Sequence, residues 1–196
     1  MNLEEKNEAL QRTHDEVLNL KESSLYQYRV ENKYFPVFGE GNHEASIVFV
    51  GEAPGKNEAQ TGKPFCGASG KLLDELLNSI SLKREDVYVT NIVKDRPPEN
   101  RDPTPEEIAL YGPFLERQLS ILKPKVVATL GRFSMSYVLN MFNIQNTDNI
   151  SANHGKIFMA PDGTVILPLY HPAAAIYNRK LRDILFKDFS VIQQYI

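Results

Sequence analysis

Four short runs of apolar, largely β-branched residues punctuate the chain: SIVFV at Ser46–Val50, VYVT at Val87–Thr90, KVVATL at Lys125–Leu130 and VILPL at Val165–Leu169. Runs this short and this continuously apolar are the pattern of strands buried on both faces. Between them the period lengthens to that of a helix. Leu72, Leu73, Leu76 and Leu77 recur on one face of a segment running from about Gly70 to Ile80. Thr104 stands as an N-cap, with Pro105 at the first helical position and Glu107 three residues on, opening a helix that runs to about Leu122. Arg132 to Met141 is helical by the same criterion, and a last helix follows the loop YHPAAAIYN to the C-terminus. The opening stretch, Leu3 to about Leu20, is rich in charged helix formers and reads as a surface helix. Strands alternating with helices imply a parallel sheet covered on both faces. The expected fold is a three-layer α/β/α sandwich with a central, mainly parallel four-stranded sheet. One domain spans 1–196, with 1–22 as an N-terminal helical extension.

Composition narrows the chemistry. At 42% hydrophobic and 24% charged residues, the chain has the make-up of a globular protein able to bury one core. A single cysteine, Cys66, excludes an intramolecular disulfide, and histidines at 14, 43, 154 and 171 show no zinc-ligand spacing. A net charge of −3 argues against non-specific coating of nucleic acid, while leaving room for a local basic patch. No apolar run reaches the roughly 20 residues that span a bilayer. The first residues, MNLEEKNEALQRTHDE, lack the apolar centre of a secretory signal. The expectation is a cytoplasmic, monomeric chain with no membrane attachment.

Ligands of such sheets bind beyond the carboxyl ends of the strands. Three loops leave those ends, beginning at Gly51, Asn91 and His171, and all three are polar and unusual in composition. One pocket built from the three is the economical reading. The first loop has the glycines and the Gly55-Lys56 pair of a phosphate-binding P-loop. It lacks a glycine five positions earlier, however, and Asn57 stands where Ser or Thr is required.

Taken together, GEAPGKNE with KPFCGASG, VYVTNIVKDRPPENRDPTPEEI and LYHPAAAIYN resemble the three signatures of the uracil-DNA glycosylase superfamily, and GEAPG points to its family 4 branch. VFGEGN and LKPKVVATLGR fit as well, so the likeness runs from about Val37 to the C-terminus. It implies an enzyme that flips uracil out of DNA and hydrolyses its bond to deoxyribose. An abasic site and free uracil would remain, with no cofactor needed.

The resemblance also distributes roles. Asn91 becomes the base reader, since a carboxamide can accept from uracil N3–H while donating to O4; without the family pattern a loop-capping Asn is the favoured reading. Phe65 becomes the platform on which the base stacks, a contact worth ~1–3 kcal/mol. Gly51 and Ala53 line the same pocket, and Glu58 forms its wall beside C5, where it would obstruct thymine's methyl group. Glu52 faces the sugar and the attacking water. His171 donates to O2 of the departing base, stabilising charge that develops only in the transition state. Lys156, Arg179 and Lys180, with Arg182, make a phosphate-gripping set, and Ile176 fills the gap left by the flipped nucleotide. For Glu52, Glu58 and the basic residues the alternative is simply a solvated charge.

Two departures stand out. Members of family 4 carry four cysteines that hold an iron–sulfur cluster, and ungapped alignment puts those positions near Ser24 and Gln27 and at Asp95 and Tyr111; none is a cysteine. Other branches place an Asp where this chain has Ala53, which leaves Glu52 as the candidate water activator. Two rivals stay open: a glycosylase for another deaminated base, and a catalytically weak module that binds uracil-containing DNA.

Overall fold

The structure, a computed structural model, describes residues 1–146 and 148–196. In chain order its elements are α1 (Leu3–Leu18), α2 (Ser24–Glu31), β1 (Glu40–Gly41), β2 (Ile47–Gly51), α3 (Lys56–Thr61), α4 (Ala68–Ser79), β3 (Tyr88–Asn91), α5 (Pro105–Leu122), β4 (Val126–Leu130), α6 (Arg132–Met141), α7 (Ile150–Asn153), β5 (Phe158–Met159), β6 (Val165–Leu169), α8 (Pro172–Ala175) and α9 (Arg179–Phe189). The sheet runs β1-β3-β2-β4-β6-β5. Its four inner strands are the four expected and are mutually parallel. The expectation of a four-stranded sheet is corrected to six. The two-residue strands β1 and β5 add antiparallel edges to β3 and β6. Neither is long enough to carry a periodic signal of its own.

Every residue of β2, β3, β4 and β6 is buried. Successive side chains point to opposite faces, and each face has its own core. Phe49, Val89, Ala128 and Leu167 pack with Leu72, Leu73, Leu76 and Leu77 of α4 and with Leu185 and Phe189 of α9. Val48, Val50, Val127 and Ile166 pack with Tyr111, Leu115 and Leu119 of α5, Val138 of α6 and Leu10 and Val17 of α1. The predicted cap of α5 forms as a capping box, with Thr104 accepting from the Glu107 amide and Glu107 accepting from the Thr104 amide.

The chain visits β2, then β3 on one side of it, then β4 on the other. The crevice at this reversal lies beyond the carboxyl end of β2, at Gly51, where open α/β sheets hold their ligands.

Helix α2, which periodicity missed, is fastened by charge. Arg29 and Asp95 are 4% and 0% exposed and form an ion pair at 3.1 Å. Arg29 also donates to the carbonyls of Val17 and Leu18 at the end of α1. Asp95 accepts from the Tyr111 hydroxyl at 2.6 Å, and that hydroxyl lies 2.8 Å from Ser23 Oγ. Leaving Asp95 buried without its cation should be expensive. Arg29→Met is expected to destabilise the fold by about 3–5 kcal/mol in denaturant unfolding; a loss below about 1 kcal/mol would show the pair to be dispensable.

Candidate active site

Gly51 ends β2 and Asn91 ends β3 at the same register. A side chain at Gly51 would have its Cβ 2.3 Å from Asn91 Oδ1 and 2.7 Å from the Phe65 ring. Glycine is therefore what allows the carboxamide and the ring to meet over the strand end. Asn91 is 2% exposed, and its Oδ1 accepts no hydrogen bond among the described residues. Such a buried, unpaired acceptor costs about 1–3 kcal/mol, and Asn91, unlike the equally unpaired Thr129 hydroxyl in β4, lines the cleft.

Phe65 is held in a left-handed conformation, φ 49°, which is strained for an aromatic residue. Three contacts fix its loop. Glu58 Oε1 accepts from the amides of Cys66 and Gly67, both at 3.0 Å. Arg84 donates to the Pro64 carbonyl at 2.6 Å. Gly70 lies so close under the Phe65 carbonyl that a Cβ there would sit 1.7 Å from its oxygen. Glu58 thus staples α3 to the start of α4, besides lining the cleft.

His171 follows β6 and stacks beside Phe65, with ring centroids 5.6 Å apart. Its Nδ1 accepts from the Ala173 amide at 3.1 Å, so the ring's hydrogen is on Nε2. Burial pushes its pKa down to about 4, with Glu58 acting the other way. The imidazole is a neutral donor.

Glu52 is half-buried, and its pKa is pushed up to about 7, first by burial and then by Asp102, with Arg132 opposing. Arg132 and Asp102 are themselves paired. Glu52, Ala53, Glu58, Phe65, Asn91 and His171 line one cleft of about 340 Å³. Pro97, Asn100 and Arg101 line it too; they belong to the loop expected at the pocket, though none of the three stands out in the sequence as a site residue. The Pro-rich loop folds back there because Glu99 and Asn100 both take left-handed conformations, and Arg101 is pinned by two hydrogen bonds to Glu107. No periodicity reports such a turn.

The expected DNA contacts are less gathered. Lys156, just ahead of β5, and Arg179 and Lys180, in the first turn of α9, are exposed. Arg182 is paired with Glu75. Ile176 is half-buried, whereas its neighbour Tyr177 is 99% exposed. No group of three or more His, Cys, Asp or Glu side chains placed to hold a metal ion occurs among the described residues, and no described helix is long and apolar enough to cross a membrane.

Comparison with known proteins gives a consistent result. Residues 38–192 match the model of the uracil DNA glycosylase superfamily. A type-4 uracil-DNA glycosylase of Archaeoglobus fulgidus is 44% identical over 180 residues, covering 90% of this chain and 88% of that protein. One from Sulfurisphaera tokodaii is 42% identical over 191 residues, covering 95% and 84%. One from Thermotoga maritima is 41% identical over 167 residues, covering 84% and 85%. The cleft therefore sits in a chain that belongs to the uracil-DNA glycosylase superfamily.

Proposed function

We propose that this chain is a monofunctional uracil-DNA glycosylase of the family 4 type, hydrolysing the N-glycosidic bond of uracil flipped out of DNA. The observation that carries the reading is the unpaired Asn91 acceptor buried between Gly51 and Phe65. Uracil N3–H supplies the missing donor, and the other half of the carboxamide donates to O4. Cytosine offers an acceptor at N3 and would leave buried groups unpaired, a mismatch worth discrimination factors of about 10⁴. Phe65 provides the stacking face, and Glu58, lining the cleft while holding the Phe65 loop, is the wall beside C5.

In the reaction the bond between C1′ and N1 breaks and its electron pair leaves with the base. The neutral His171 donates from Nε2 to O2 and spreads that negative charge, as preorganised donors do for oxyanions. Water adds to C1′ and gives its proton to Glu52, whose pKa of about 7 matches a base working near neutrality. The products are free uracil and an abasic site. The reading is of a monomer whose partner is uracil-containing DNA in the cell. Lys156, Arg179 and Lys180 grip phosphates, and Ile176 with the exposed Tyr177 fills the vacated stack. Residues 1–196 act as a single domain, of which 1–22 is a helical extension lying against α5.

The four positions that the family resemblance assigns to cluster-holding cysteines do not suit an iron–sulfur cluster. Asp95 accepts from both Tyr111 and Arg29, Ser24 Oγ donates to Glu107, and Gln27 donates to Glu31. The purified protein is expected to be colourless and iron-free; a visible absorbance band accompanied by bound iron would contradict this.

The direct test is excision from a labelled uracil-containing oligonucleotide, followed by alkali to break abasic sites. Wild type should cleave at uracil, and His171→Ala and Asn91→Ala should each lower turnover by about 10²–10³-fold. Specific binding without cleavage would instead favour a binding module, and excision of hypoxanthine in place of uracil would favour another base.

The dependence on pH follows from Glu52. As a base it must be ionised, so kcat/KM should rise with pH around a midpoint near 7. His171, neutral above about 4, adds no limb in that range. In Glu52→Gln the limb should vanish along with about 10²–10⁴-fold of the rate. Because the folded pKa is raised, ionisation of Glu52 opposes folding as pH climbs through 7. Glu52→Gln should therefore gain stability over wild type at high pH and none below the ordinary carboxyl range. A wild-type profile flat through pH 7 would remove Glu52 from the role.

A further inference from the structure

Lys94 lies three residues beyond Asn91 and is 0% exposed, a rare situation for a lysine. Its ammonium meets three oxygens: the Asn91 carbonyl at 2.6 Å, Thr90 Oγ1 at 2.8 Å and Gln118 Oε1. None of the ion pairs among the described residues includes it. Neither side-chain oxygen has a proton to offer back. The Thr90 hydroxyl donates to the Phe38 carbonyl at 2.7 Å, and the Gln118 amide nitrogen donates to the same carbonyl at 2.9 Å and to the Tyr88 hydroxyl. Three acceptors need three N–H bonds, which only the protonated amine supplies. Burial pushes this ammonium well below the ordinary lysine range. The three oxygens and the face of Phe38 at 5.6 Å are the groups that surround it.

An apolar side chain of the same length would fill this space without the cost of burying a charge. What the lysine adds is a hold on one particular carbonyl. At Asn91 the chain leaves the sheet. The two amides that follow, those of Ile92 and Val93, are tied to the carbonyls of Gly51 and Glu52 at 3.1 and 3.0 Å. The Asn91 carbonyl is taken by Lys94. Because Asn91 Oδ1 accepts no hydrogen bond among the described residues, the direction of the carboxamide is set by its backbone and by packing against Gly51 and Phe65.

We propose that Lys94 is a positioning residue for base recognition: by gripping the Asn91 carbonyl from beneath the cleft it aims the Asn91 carboxamide at the flipped base. Thr90 and Gln118 serve to hold the ammonium in place. The inference rests on Asn91 reading the base, as proposed above.

The test compares the affinity of the protein for two uncleavable DNAs. One carries 2′-fluoro-2′-deoxyuridine, and the other is identical except for a tetrahydrofuran in place of that nucleotide. Phosphate contacts are common to both, so their ratio isolates the base. Lys94→Met is expected to lose about 10-fold or more in affinity for the uracil DNA, about the worth of one buried hydrogen-bonded contact, with abasic affinity changed by less than about twofold. Gln118→Leu, which leaves the lysine but removes one of its anchors, should move the ratio the same way by less. It carries the test if thermal melting shows Lys94→Met to be unfolded. Equal weakening toward both DNAs, or an unchanged ratio in a folded variant, would overturn the role of Lys94. Equal binding of the two DNAs by wild type would overturn base reading by the cleft itself, and the role of Lys94 with it.

Discussion

The site depends on one missing atom. At the end of β2 a Cβ on Gly51 would stand 2.3 Å from the Asn91 carboxamide and 2.7 Å from the Phe65 ring, and its absence lets a polar reader and an aromatic platform converge. Everything near the cleft serves that convergence. The parallel pairing of β2 with β3 brings Gly51 and Asn91 side by side, and the reversal of strand order opens the crevice above them. The strained Phe65 is held from both sides, by Glu58 on the amides that follow it and by Arg84 on the carbonyl that precedes it. His171 then closes the pocket as a neutral donor, its tautomer fixed by the Ala173 amide.

Beneath this surface the fold relies on buried polar groups rather than on a purely apolar core. The cell around Lys94 lies under Asn91, and the Arg29–Asp95–Tyr111–Ser23 network ties α1 and α2 to the segment leaving β3. That segment continues through Arg96, which donates to Tyr28, Tyr34 and Asn100, into the cleft wall at Asn100 and Arg101. Satisfied networks of this kind fix geometry more firmly than apolar packing does, because each member has a direction as well as a volume. The N-terminal helices are in this way joined to the pocket through hydrogen bonds.

The sequence makes the central sheet legible because β2, β3, β4 and β6 are buried on both faces and therefore read as unbroken apolar runs. The α5 cap was legible because Thr104, Pro105 and Glu107 form a chemical signature. Strands β1 and β5 were not, since two residues have no period, and α2 was hidden because it is held by Arg29 rather than by an apolar stripe. Among the cleft residues, Asn91, Phe65 and His171 emerge only from their spaced signatures; singly each has an ordinary structural explanation. Lys94 escaped because lysine is read as a surface residue. Asn100 and Arg101 escaped because their place depends on two left-handed residues in a Pro-rich loop.

The most direct measurement of the central constraint is made on Gly51→Ala. Gly51 does not require a left-handed backbone, so alanine adds little beyond one methyl group at the meeting point of Asn91 and Phe65. The account predicts a folded protein that still binds abasic DNA yet loses uracil excision by about 10²-fold or more, since a displacement of about 1 Å in a positioned group costs that much. Full excision activity in a folded Gly51→Ala protein would contradict it.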